Sequence, residues 1–127
     1  MAYRLDITER LHRRMLEIVG TALPLITKSF DDADLDGLAF LRCEMIETIE
    51  AYCRHVHRIG GHAGQHLIDG CADVRAAYEG FRVRWEHRHV PENWHEYRLS
   101  VVVMMKQVRA HVEQARAVRE ALHSQAA

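Results

Sequence analysis

Two prolines, seven glycines and three cysteines are all that 127 residues contain of the types that bend, break or staple a chain. So few breakers exclude a loop-rich or low-complexity fold and imply long uninterrupted elements. Cys43, Cys53 and Cys71 are odd in number and have no paired spacing. They argue against a disulfide framework and against a Cys-x-x-Cys zinc site, and read as small buried hydrophobes. An excess of one charge is also missing. Seventeen Lys and Arg stand against 18 Asp and Glu, net −1, which leaves no electrostatic footprint for nucleic acid. No apolar run approaches the ~20 residues that span a bilayer, and no helical segment offers a basic face to a membrane surface. The first nine residues place Asp6 and Glu9 where a signal peptide would have its apolar core, so the expected location is cytoplasmic.

What is present is helical periodicity. The 48% hydrophobic and 28% charged fractions are those of an ordinary globular domain, and the length fits a single domain over residues 1–127. Segment 3–29 repeats apolar residues at Leu11, Met15, Ile18, Val19, Ala22 and Ile26, with Pro24 expected to kink it. Segment 34–59 carries the most regular stripe, Leu35, Leu38, Leu41, Met45, Ile49, Tyr52, Val56 and Ile59, and Gly60-Gly61 is expected to stop it. Segment 62–88 shows Leu67, Cys71, Val74, Tyr78, Phe81 and Trp85, and Val90-Pro91 breaks it. Segment 94–123 shows Trp94, Tyr97, Val101, Met105, Val108, Val112, Ala115 and Leu122. The three valines 101–103 look strand-like alone but sit inside a long 3.6-residue pattern. Four long helices with short connections predict an all-α, antiparallel up-down-up-down four-helix bundle.

The chemistry-bearing residues are histidines, of which there are ten. His55, His57, His62 and His66 crowd around the central glycines. Taking one from each helix, His12, His55, His66 and His111 lie within about five residues of one another in depth, a slab roughly 7–8 Å thick at ~1.5 Å rise per residue. Facing side chains at one depth are how a bundle builds a metal centre. On the helical wheel His12 and His111 fall in or at the edge of their apolar stripes. His55 lies on a border, and His66 stands about a quarter-turn away.

At these residues the chain resembles the hemerythrin-like (HHE cation-binding) proteins. Leu5-Asp-Ile-Thr-Glu-Arg-Leu-His12-Arg is similar to that family's first helix, and His62-Ala-Gly-Gln-His66 to the His-x-x-x-His of its third. His55-Val and His111-Val are similar to the histidines of the second and fourth. The resemblance spans the chain through short motifs. It implies a metal-binding protein, a sensor or carrier of O2 or another diatomic gas through a His-rich iron or di-iron site. The ligands it implies are His12, His55, His62, His66 and His111. Where the family has carboxylates, this chain has Ile59 on the second helix and Ala115 and Arg116 on the fourth. Glu9 and Asp69, on the same faces as His12 and His66, are the replacements to consider, with Glu50 more distant. Zinc or another transition metal in a mononuclear site is also open, since imidazole suits Zn, Cu, Fe and Ni.

Two other readings belong beside it. His57-Arg-Ile-Gly-Gly-His-Ala63 is similar to the phosphorylated motif of histidine phosphotransfer domains, which are also four-helix bundles and would make His57 the phosphate carrier. The missing carboxylates favour a metal-free bundle acting through protein–protein contact, with a signalling partner or a second copy. Taken singly, His12 or His111 is more often a satisfied core histidine than a ligand. No nucleophile–base pair or nucleotide loop is visible, so no enzymatic chemistry is expected.

Overall fold

The computed structural model describes residues 2–58, 61–86 and 88–126, with side chains over 7–58, 65–86 and 88–120. Four helices make up the fold: α1 (Ala2–Ile26), α2 (Leu35–Val56), α3 (Gly61–Glu86) and α4 (Trp94–Ala126). Each packs on its neighbours in a ring, α1 on α2 and α4, and α3 on α2 and α4. The result is an all-α four-helix bundle, and among the described residues there is no strand. No helix is long and apolar enough to cross a membrane.

Most residues of the stripes read from the sequence are on the buried faces; Leu35 is exposed, Leu11 and Leu41 are partly buried, and the side chains of Ile59 and Leu122 lie outside those described. Met15, Ile18, Val19, Ala22 and Ile26 line the core from α1, and Met45, Ile49, Tyr52 and Val56 from α2. Leu67, Cys71, Val74, Tyr78, Phe81 and Trp85 do so from α3, and Tyr97, Val101, Val108 and Val112 from α4. Burying one such side chain contributes about 1.5–3 kcal/mol, opposed by the entropy of ordering it, so no helix here is self-sufficient. Val101–Val103 continue α4 without a break.

The ends follow local chemistry. Helix α1 runs through Pro24 for two more residues, and its Pro24 carbonyl accepts from the Thr27 hydroxyl at 2.7 Å. A single 3-10 turn (Phe30–Asp32) follows, and Asp34 caps α2 by accepting from the Gly37 N–H at 2.8 Å. A second 3-10 turn (Pro91–Asn93) leads into α4. The aromatic groups gather at this end. Trp94 stacks on Tyr97 at 5.8 Å and donates from its indole to the Lys28 carbonyl, tying the two loops together. The histidine layer lies further along, nearer the α2–α3 turn.

Three expectations are corrected. The α2–α3 turn is shorter in helix than expected: α2 ends at Val56 with His57 as its C-cap, and Gly61 opens α3 instead of ending α2. Ile59 and Gly60 lie outside the described residues. Second, Cys53 and Cys71 are joined in a disulfide across the α2–α3 interface, with Cα atoms 5.8 Å apart. That separation lies within the span a disulfide bridges. The pairing is set by how the hairpin packs, 18 residues apart in sequence. Third, Cys43 is an exposed free thiol, where a buried one was expected.

Candidate functional site: a buried histidine pair

Helix α1 repeats Thr8, His12, Met15 and Val19 on one stripe, so His12 enters the core by the same spacing as its apolar neighbours and is 1% exposed. Helix α4 does the same with Val108, His111 and Val112. Between these two neighbouring helices the imidazoles stand 6.0 Å apart between ring centroids, nearly edge to face. Tyr52 of α2 closes the group, with ring centroids 4.9 Å from His12 and 5.3 Å from His111. Its hydroxyl and His111 Nε2 are hydrogen-bonded at 2.8 Å. Helix α3 contributes the absence of a side chain. A Cβ on Gly70 would stand 2.7 Å from His111 Cε1 and 2.8 Å from its Nδ1, so the ring rests directly on the α3 backbone.

His12 is the unusual member. Neither Nδ1 nor Nε2 has a hydrogen-bond partner, although both are buried. Among the described residues the other buried side-chain nitrogen in this condition is Trp85 Nε1, at the opposite end of the bundle. A neutral imidazole carries one donor and one acceptor, and each left unmade in the interior costs on the order of 1–3 kcal/mol. Burial, reinforced by His111, pushes the His12 pKa down to about 4. The ring is therefore neutral at pH 7 and keeps a lone pair. Burial also lowers His111, with His66 adding to the effect and Asp73 opposing it. Burial raises the Tyr52 phenol well above its ordinary range.

The other candidates lie elsewhere. His55 is buried one layer away and pairs its Nε2 with Thr8 Oγ1 at 3.0 Å. His66 is exposed and lines, with Asp69, Asp73 and Gln114, a cleft of about 130 Å³ between α3 and α4 whose floor includes His111. His62 belongs to α3, but its side chain lies outside those described. Asp69 is exposed and accepts from Gln65 at 2.9 Å. Glu9 is gripped by Arg116 and Arg119, both at 2.6 Å. Burial pushes its carboxyl up, and the two guanidiniums outweigh that and hold it below its ordinary value. Glu50 pairs with Arg75 at 3.0 Å. His57 is exposed at the C-cap of α2, between two helices and off the face of either.

These placements decide which metal centre the residues fit. A di-iron pair needs bridging carboxylates, and Glu9, Asp69 and Glu50 are all engaged with other side chains. Among the described residues no three His, Cys, Asp or Glu stand together as a ready ligand set. The described residues do not fit a di-iron centre. What the pocket holds is a pair of imidazoles 6.0 Å apart edge to face, His12 with both nitrogens unpartnered and His111 with Nε2 bonded to Tyr52. No protein-family model, curated protein or solved structure matches the chain. The functional reading therefore stands on the pocket's own chemistry.

Sequence reasoning brought His12 and His111 to the same depth and face. It missed Tyr52 and Gly70. Tyr52 sits on an apolar stripe, and the available signal was its hydroxyl, which a buried tyrosine must satisfy. Gly70 lies mid-helix, where a glycine costs about 1 kcal/mol against alanine and so points to a close approach.

Proposed function

We propose that this chain is a hemerythrin-like bundle that holds one transition-metal ion, iron, zinc or a neighbour of theirs, between His12 and His111. The observation that carries the reading is His12: a fully buried imidazole, neutral at physiological pH, with both ring nitrogens unpartnered and a second imidazole opposite. A lone pair without a donor is a cost in the packed core and a ligand in the presence of a metal. His111 would ligate through Nε2 in exchange for its bond to the Tyr52 hydroxyl, because its Nδ1–Cε1 edge rests on Gly70. A metal held by two nitrogens has coordination positions to spare, the requirement for reversible binding of a diatomic gas.

The test is metal analysis of protein purified without a histidine tag, followed by titration of the metal-free protein with Fe(II), Zn(II) and Co(II). The reading expects near-stoichiometric binding that His12→Ala and His111→Ala each abolish and His57→Ala leaves intact. Absence of binding by folded protein for all three ions contradicts it.

One observation favours a second reading, a metal-free bundle that binds another protein. Leu99 and Val103 are more than half exposed and edge an apolar groove of about 470 Å³ with Phe81 and Met104. Failure of metal binding, together with concentration-dependent self-association or capture of a defined partner lost on Val103→Glu, would select it.

A further inference from the structure

We propose that Cys53 and Cys71 are a thiol–disulfide couple that controls how His111 is seated, making a dithiol reductant a second input to the histidine pocket. The observation is one of adjacency. His111 is held from two sides, by the Tyr52 hydroxyl at Nε2 and by the Gly70 backbone against its Nδ1–Cε1 edge. The disulfide joins the very next residue on each of those helices, Cys53 after Tyr52 and Cys71 after Gly70. One covalent tie therefore fixes the spacing of the two surfaces between which the ring sits.

The chemistry balances with a dithiol. One of its thiolates attacks a sulfur of the Cys53–Cys71 bond and forms a mixed disulfide. Its second thiol then displaces the protein sulfur, so that the reductant leaves as a disulfide and Cys53 and Cys71 leave as two thiols, with two electrons and two protons transferred. Bonded sulfurs stand about 2.05 Å apart, whereas free thiols need van der Waals separation. Both cysteines are buried, at 5% and 3% exposure, so the added separation is taken up by the helices themselves. In a close-packed interior that shift reaches the adjoining residues. The seat on Gly70 has no slack: the space is already too small for a methyl group.

The consequence for ligand binding rests on the metal reading above; the coupling between the cysteines and His111 does not. The test therefore reads His111 directly. Full-length protein carrying Cys43→Ser, to prevent intermolecular crosslinks, is equilibrated in dithiothreitol redox buffers. Alkylation and mass spectrometry report the Cys53/Cys71 state, and ring nitrogen NMR signals, assigned with His111→Gln, report the pocket. Co(II) affinity is measured at both ends of the titration. The expected result is a single oxidised set of His111 signals replaced by a distinct reduced set at the same midpoint as the thiols, with Co(II) affinity differing about tenfold. The Cys53→Ser, Cys71→Ser double variant should give the reduced set in every buffer. Identical His111 signals in both states, or cysteines that stay as thiols in air-oxidised folded protein, would overturn the proposal. A shift of His111 without Co(II) binding in either state upholds the coupling and removes the metal reading alone.

Discussion

His12 is where a single residue sets a measurable property. Its pKa of about 4 in the fold lies below the ~6.5 of an unfolded chain. Between those values the unfolded chain binds the proton and the folded one does not. Stability is thus complete above about pH 6.5 and is lost as pH falls, levelling once His12 titrates in the fold. A shift of that size corresponds to about 3 kcal/mol, to which His111, also lowered, adds in the same direction. Urea unfolding from pH 7.5 to 4 should show this loss, and His12→Leu should remove most of it. In metal-free protein at pH 7 the same substitution should raise stability by about 1–3 kcal/mol, because two unmade hydrogen bonds disappear and an apolar group of similar size replaces them. An unchanged pH slope would refute the assignment. Gly70 makes the complementary case. Gly70→Ala drives a methyl into His111 and should lower stability by about 1 kcal/mol net, overpacking exceeding the helix-propensity gain. Gly80→Ala on the same helix meets open space and should raise it by about 0.5–1 kcal/mol. Thermal melts of the pair should move in opposite directions.

At the scale of the helices, α2 and α3 are joined twice, by a short turn and by the Cys53–Cys71 bond. Closing an 18-residue loop stabilises by about 3 kcal/mol in the chain-entropy account, so reduction should lower the denaturant midpoint measurably without unfolding the bundle. A midpoint indifferent to reductant would show that the tie contributes nothing. How far the elements were legible is clear from particular residues. The Met45–Ile49–Tyr52–Val56 stripe and its three counterparts state their period in the sequence, and a period determines which face is buried. The positions of His12 on its stripe and of His66 off it followed from the same rule. Cys53 facing Cys71 did not, because it depends on the rotation of two helices about each other, which no local pattern encodes. The engagement of Glu9 by Arg116 and Arg119 was hidden for the same reason. Arg116 marked a missing carboxylate, yet nothing local indicated that its guanidinium would occupy Glu9 on another helix.

For the molecule as a whole, the bundle divides into an aromatic end around Trp94 and Tyr97, which ties the loops, and a histidine layer toward the α2–α3 turn. The first is packing that any bundle of this size requires. The second carries an unpartnered imidazole in the interior, a cost that folding alone does not explain. The central claim is that this cost is offset when a metal ion binds. Its most direct measurement is calorimetric titration of the metal-free protein with Co(II), alongside the visible spectrum of the product. The account predicts one ion per chain, ligand-field bands characteristic of nitrogen coordination, a rise in melting temperature, and loss of all three in His12→Ala. Folded wild-type protein that takes up no ion and gains no stability, or one that binds equally well without His12, would contradict it.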